Sequence, residues 1–227
     1  MRTRRRRHPI GVRDNRGRAV DGLVTPGDAA RTATDIMTSE GLFRLGIVSL
    51  FVVVALDVVV ACALCRVFGP VSTGISLLAP WFRLVYAGVL LVAVSHLVGV
   101  LRLLGDDGYL AAFNADQLQA QALSGIHTFG DVFGAGLLLF GLHLLVVSYL
   151  AYRSGYVPRV LAMVLAVAGI GYLVDSVAAI LSRGSWTVVS SFTFIGEFLL
   201  ALWLVVRGHR ITLGGPGLHD DPIAVAR

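Results

Sequence analysis

Lysine is absent from this chain, and charge of any kind is scarce. Only 15% of the 227 residues are charged, against roughly 25% in a soluble domain. All 19 basic residues are arginine, a statement about a GC-rich coding genome rather than about function. There are two cysteines, Cys62 and Cys65, and no second pair to complete a zinc site. At i, i+3 they share a helix face and read as small packing residues. The chain has no G-x-S-x-G elbow, no H-E-x-x-H and no P-loop. No catalytic residue is therefore assigned, and the expectation is a protein that is not an enzyme. Alternating segments of about ten residues are also missing, which excludes a transmembrane β-barrel.

What is present is apolar sequence. Hydrophobic residues make up 56% of the chain, and mean hydropathy is +0.79. They concentrate in five runs, 45–66, 82–104, 129–152, 159–181 and 188–207. Each reaches about the 20 residues a tilted bilayer helix needs. The expected fold class is all-α, a polytopic transmembrane bundle of five membrane helices. Three regions follow: a basic tail and external segment at 1–41, the bundle at 42–208, and a disordered tail at 209–227. Within the first, residues 28–40 read as a short surface helix. Between the second and third runs, Ala111–Ala122 reads as another. Asn114 is its N-cap and Gln117 completes a capping box.

Arginine placement gives an orientation. Arg66 and Arg83 flank the first connection, Arg153 and Arg159 the third, and Arg207 and Arg210 follow the last helix. These sites lie on one side, expected to be cytoplasmic, with the C-terminus. Asp106, Asp107 and Asp116 fall on the other side, and Arg102 and Arg183 run against the trend. Five helices then place the N-terminus outside, against the Arg2–Arg7 cluster. No apolar segment follows these arginines, so they mark neither a cleavable signal nor a twin-arginine signal. No folded nucleic-acid module accompanies them. They read as a solvated tail near anionic headgroups.

Each apolar run carries one ionisable residue near mid-depth: Asp57, His96, His143, Asp175 and Glu197. An unpaired charge there costs at least a few kcal/mol, so these groups are expected to face inward and to pair. Small residues run beside them at 3–4 spacing. The stripes are Ser190, Thr193, Glu197 and Ala201; Ala168, Gly171, Asp175 and Ala179; Gly88, Val92, Ser95, His96 and Gly99; and Gly136, His143 and Val147. Such stripes describe interhelical faces. At least one close acid–histidine contact is expected. A haem would need both His96 and His143 on opposite sides of one porphyrin. His127 and Asp131, at i, i+4, are the weak metal candidates, and a helix-end charge pair is the plainer reading.

Longer stretches carry a family resemblance. FGLHLLVVSYLAYRSGYVPRVLAMVLAVAGIGYLVDS (140–176), TPGDAARTATDIMTSEGLFRLGI (25–47), WFRLVY (81–86) and IGEFLLALWLVVRG (195–208) resemble the bacterial domain of unknown function 4386 family. The resemblance covers about 24–208. The matching residues are Arg44, Asp57, Arg83, His143, Tyr152, Arg153, Gly155, Pro158, Arg159, Tyr172, Asp175, Glu197 and Trp203. It implies a multi-pass membrane protein, commonly of six helices, with no established activity, so no catalytic role is carried over. His96 belongs to no such motif. The family usually has a helix before the TPGDAA-like segment, where this chain has arginines. The expectation is a non-native start at Met1, with the first ~23 residues unstructured.

The leading expectation is a cell-membrane protein whose polar core binds or passes a proton or small solute. The first alternative is a structural or partner-binding membrane subunit without cargo, and the second a haem- or quinone-binding redox protein. No cofactor is assigned. The expected partners are the lipid bilayer and a homo-oligomer or membrane protein, not nucleic acid.

Overall fold

A computed structural model describes residues 23–105, 108–181 and 190–207. Six helices lie among them: α1 (Ala29–Thr38), α2 (Glu40–Phe68), α3 (Thr73–Leu103), α4 (Ala115–Ser154), α5 (Arg159–Leu181) and α6 (Ser190–Arg207). A 3-10 turn, Gly108–Ala112, precedes α4. There is no strand among the described residues. Helices α2 to α5 are each long and apolar enough to cross a membrane, and α6 covers the fifth run in 18 residues. The chain is a multi-pass helical bundle. Its outward faces are apolar: Val59, Val167 and Val205 are 63%, 69% and 80% exposed. Surfaces of that kind suit hydrocarbon and not water.

Consecutive helices pack in order, α2 on α3, α3 on α4, α4 on α5 and α5 on α6. No comparable packing joins α2 to α6 among the described residues. The α4–α5 crossing is the tightest. A Cβ on Gly141 would lie 2.8 Å from the Gly169 carbonyl oxygen, and one on Gly169 would lie 2.9 Å from that of Gly141. Only glycine at both positions lets these backbones touch. Ser148 Oγ donates to the Ala162 carbonyl at 2.7 Å and Ser176 Oγ to that of Gly134 at 3.0 Å, on either side of the contact.

Three helices run further than the sequence indicated, α2 by five residues at its start and α3 and α4 by more. α3 starts at Thr73, not near residue 82, and contains Pro80. A proline inside a membrane helix removes one N–H, here the donor to the Ser76 carbonyl, without ending the helix. The predicted capping box forms: Gln117 N–H donates to Asn114 Oδ1 at 2.8 Å and Asn114 N–H to Gln117 Oε1 at 3.2 Å. Yet it opens α4 itself, a 40-residue helix, in place of a separate surface helix ending at Ala122. At about 60 Å, α4 is twice the thickness of the hydrocarbon core. It also packs against α1, whose buried face is Thr32, Ala33 and Ile36.

α4 ends at Gly155, which has φ +73° and so takes the left-handed cap that favours glycine. The next residue, Tyr156, donates its hydroxyl to the Val67 carbonyl at 2.6 Å and stacks on Phe68. That carbonyl belongs to the last turn of α2, where no intrahelical donor remains. The hydrogen bond thereby ties the α4–α5 turn to α2.

Candidate functional site

Three helices meet at a buried arginine. Arg83 of α3 is 7% exposed, Asp57 of α2 is 4% and His143 of α4 is 1%. Counting along each helix from the end near Phe68, Thr73 and Ser154, all three sit about 15–17 Å deep, close to mid-membrane. Arg83 Nε donates to Asp57 Oδ1 at 2.9 Å, and a terminal guanidinium nitrogen reaches the same oxygen at 2.7 Å. Both donors converge on one carboxylate oxygen. Oδ2 is buried and accepts no hydrogen bond among the described residues.

The other guanidinium arm, Nη1, lies 3.2 Å from His143 Nε2. Arginine has only donors, so His143 Nε2 is the acceptor. The ring proton is then on Nδ1, which donates to the Ala79 carbonyl at 2.8 Å. His143 is held as a neutral ring of fixed tautomer. Beneath it lies an aromatic floor. The guanidinium carbon stands 5.4 Å over the Phe140 ring, Tyr86 tilts against Phe140 at 4.8 Å, and Tyr172 meets it edge-on at 5.5 Å. A cation over an aromatic face is stabilised further where water is excluded.

This polar group lines a cavity of about 430 Å³. Its walls come from α2 (Val53, Val60), α4 (Phe133, Leu137) and α6 (Phe198, Leu204). Asp57, Arg83 and His143 supply its charged and imidazole groups. The volume and mostly apolar lining are those of a small-molecule site.

The sequence-derived candidates separate here. Asp57, His143 and Asp175 are buried, whereas the Glu197 side chain lies outside the described residues. His96 is half-buried, and most of its stripe, Gly88, Val92 and Ser95, is exposed. It stands about 20 Å further along α3 than Arg83. His96 and His143 therefore do not oppose one another as a haem pair. His143 touches no carboxylate among the described residues. The expected acid–histidine contact is replaced by an acid–arginine–histidine chain. His127 and Asp131 are exposed on α4, and no group of three or more metal-ligating side chains converges among the described residues.

Arg83 is the residue that sequence reasoning misplaced. Arginine placement puts it at a loop end, but it lies inside α3. Its signal in the sequence is the apolar segment ISLLAPWF before it, which continues through Pro80 as helix. With Arg83 removed from the tally, Arg66 alone marks the first connection.

The chain matches a family described as a domain of unknown function (DUF4386) over residues 17–208. An uncharacterized protein of Archaeoglobus fulgidus is 30% identical over 166 residues, which cover 73% of this chain and 85% of that protein. No solved structure matches the chain. The match spans the arginine site and every helix around it, and the chain belongs to the DUF4386 family.

Proposed function

We propose that this protein binds a small solute in its intramembrane core and carries out no covalent chemistry on it. The observation that supports this reading is the Asp57–Arg83–His143 chain at the wall of a 430 Å³ cavity. The same geometry argues against a proton wire through these three groups. The middle member is a guanidinium, which keeps its protons. A relay needs groups that accept and release one.

A second reading has its own support. Arg83 joins α2, α3 and α4, so the cluster also serves as an interhelical staple in a subunit with no cargo. Native mass spectrometry of the protein extracted in its own lipid separates the two. Ala201 lines the cavity from α6 and is not a member of the Asp57–Arg83 ion pair. Under the binding reading, a small molecule accompanies the wild type and is lost from Ala201→Trp, with melting unchanged. A wild type that carries nothing, and an Ala201→Trp variant indistinguishable from it, favour the staple. The site is taken to lie in the cell membrane, with the connections at 69–72 and 155–158 on the cytoplasmic face.

A further inference from the structure

Resting on the solute-binding reading, we infer that the cavity takes a neutral lipid-soluble alcohol, whose hydroxyl donates to Asp57 Oδ2 once that buried oxygen turns toward the cavity and whose apolar body lies between α2 and α6. Three observations lead there. The first is the carboxylate. Arg83 spends both of its nearer donors on Oδ1, although a guanidinium fork matches two carboxylate oxygens equally well. Among the described residues Oδ2 is left without a donor, on a residue that lines the cavity. A buried acceptor of this kind costs free energy until a donor reaches it.

The second is charge. Among the described lining residues the formal charges are Asp57 and Arg83, and they cancel. A cationic ligand meets the guanidinium and an anionic one meets Oδ2. A neutral hydroxyl satisfies the oxygen and disturbs neither. Water alone is a poor occupant, since each buried water needs two to four polar partners, and the walls are largely aliphatic and aromatic.

The third is access. Val53 of α2 and Phe198 of α6 both line the cavity and are 42% and 56% exposed. The two helices do not pack on each other as their neighbours do. The cavity therefore opens sideways toward the acyl chains, the phase in which a lipophilic alcohol dissolves. A polar solute has no such route.

Photolabelling of the full chain in lipid nanodiscs tests this with one probe, 1-dodecanol carrying a mid-chain diazirine. Cross-links should map to α2 and α6 around Val53 and Phe198. Unlabelled 1-dodecanol should compete at least about 10-fold better than its methyl ether, which matches its apolar body and lacks the donor. Ala201→Trp should abolish the cavity cross-links while leaving the ion pair in place. Equal competition by alcohol and ether overturns the hydroxyl assignment but keeps an apolar solute site. Cross-links spread over the lipid-facing surface and unchanged by Ala201→Trp overturn this inference and the solute-binding reading together.

Discussion

Arg83 donates to His143 Nε2 across the α3–α4 interface, and that single contact fixes where the histidine proton resides. Nε2 is an acceptor, so Nδ1 carries hydrogen toward the Ala79 carbonyl. Histidine-selective 15N NMR of labelled protein should show His143 as the Nδ1–H tautomer. In Arg83→Met this resonance should change, because the acceptor loses its donor. A wild-type Nε2–H signal would break the proposed chain at its centre.

The same arginine should show strong non-additivity. Arg83→Met leaves Asp57 as an uncompensated buried charge, which costs about 3–5 kcal/mol. Replacing both members, Asp57→Leu with Arg83→Met, removes the charge along with its partner. The double variant should be more stable than Arg83→Met alone, and it should no longer bind the solute proposed above. Unfolding in mixed micelles provides the comparison. Additive losses would mean that the pair does not act as a unit.

Helix existence was legible in the sequence, and helix reach was not. Long apolar runs announce a bilayer helix because hydrocarbon forces every backbone group to pair internally. That rule also lets a helix continue through Pro80, which in water would have read as a stop. The inward orientation of Asp57, His143 and Asp175 followed from desolvation cost. The partner of Asp57 did not, because an arginine just after a proline looks like a loop end. His96 shows the converse. A small-residue stripe beside a polar group predicts an interface, but Gly88, Val92 and Ser95 turn outward. α3 buries Tyr86, Leu90, Val94 and Leu97 instead. Spacing identifies a face without saying which face is covered.

Gly141 and Gly169 make a local test of packing. A methyl at either meets the opposing carbonyl oxygen under 3 Å, so backbone must move. Gly141→Ala and Gly169→Ala should each destabilise by about 1–3 kcal/mol. Gly130→Ala on the same α4 meets nothing within 4 Å. It should be neutral or slightly stabilising, since alanine is favoured in a helix by up to about 1 kcal/mol. Equal behaviour of the three would remove the close crossing.

At the α4–α5 turn, orientation can be tested directly. Arg153 and Arg159 lie over Tyr149 and Tyr152, and such aromatic and arginine belts mark a membrane–water interface. In a background with Cys62 and Cys65 changed to alanine, Ser154→Cys should resist an impermeant maleimide in intact cells and react after lysis. Labelling in intact cells would place this end outside and invert the assigned orientation.

Tyr156 connects that turn to α2, and burial raises its hydroxyl above the ordinary tyrosine value of 10.0. The neutral form donates to the Val67 carbonyl, and the phenolate cannot. The folded state thus holds the proton more tightly than the unfolded one, and the sign of the pH effect follows. The contribution is fully present below pH 10 and is lost as the pH rises through the higher folded value. Tyr156→Phe should cost about 0.5–1.5 kcal/mol at neutral pH, the usual net worth of one hydrogen bond. Unlike the wild type, it should lose nothing further from this position on going from pH 9 to pH 11. Melting of both proteins across that interval decides the matter. A difference between them that stays constant with pH would show that the Tyr156 hydroxyl is not a donor to α2.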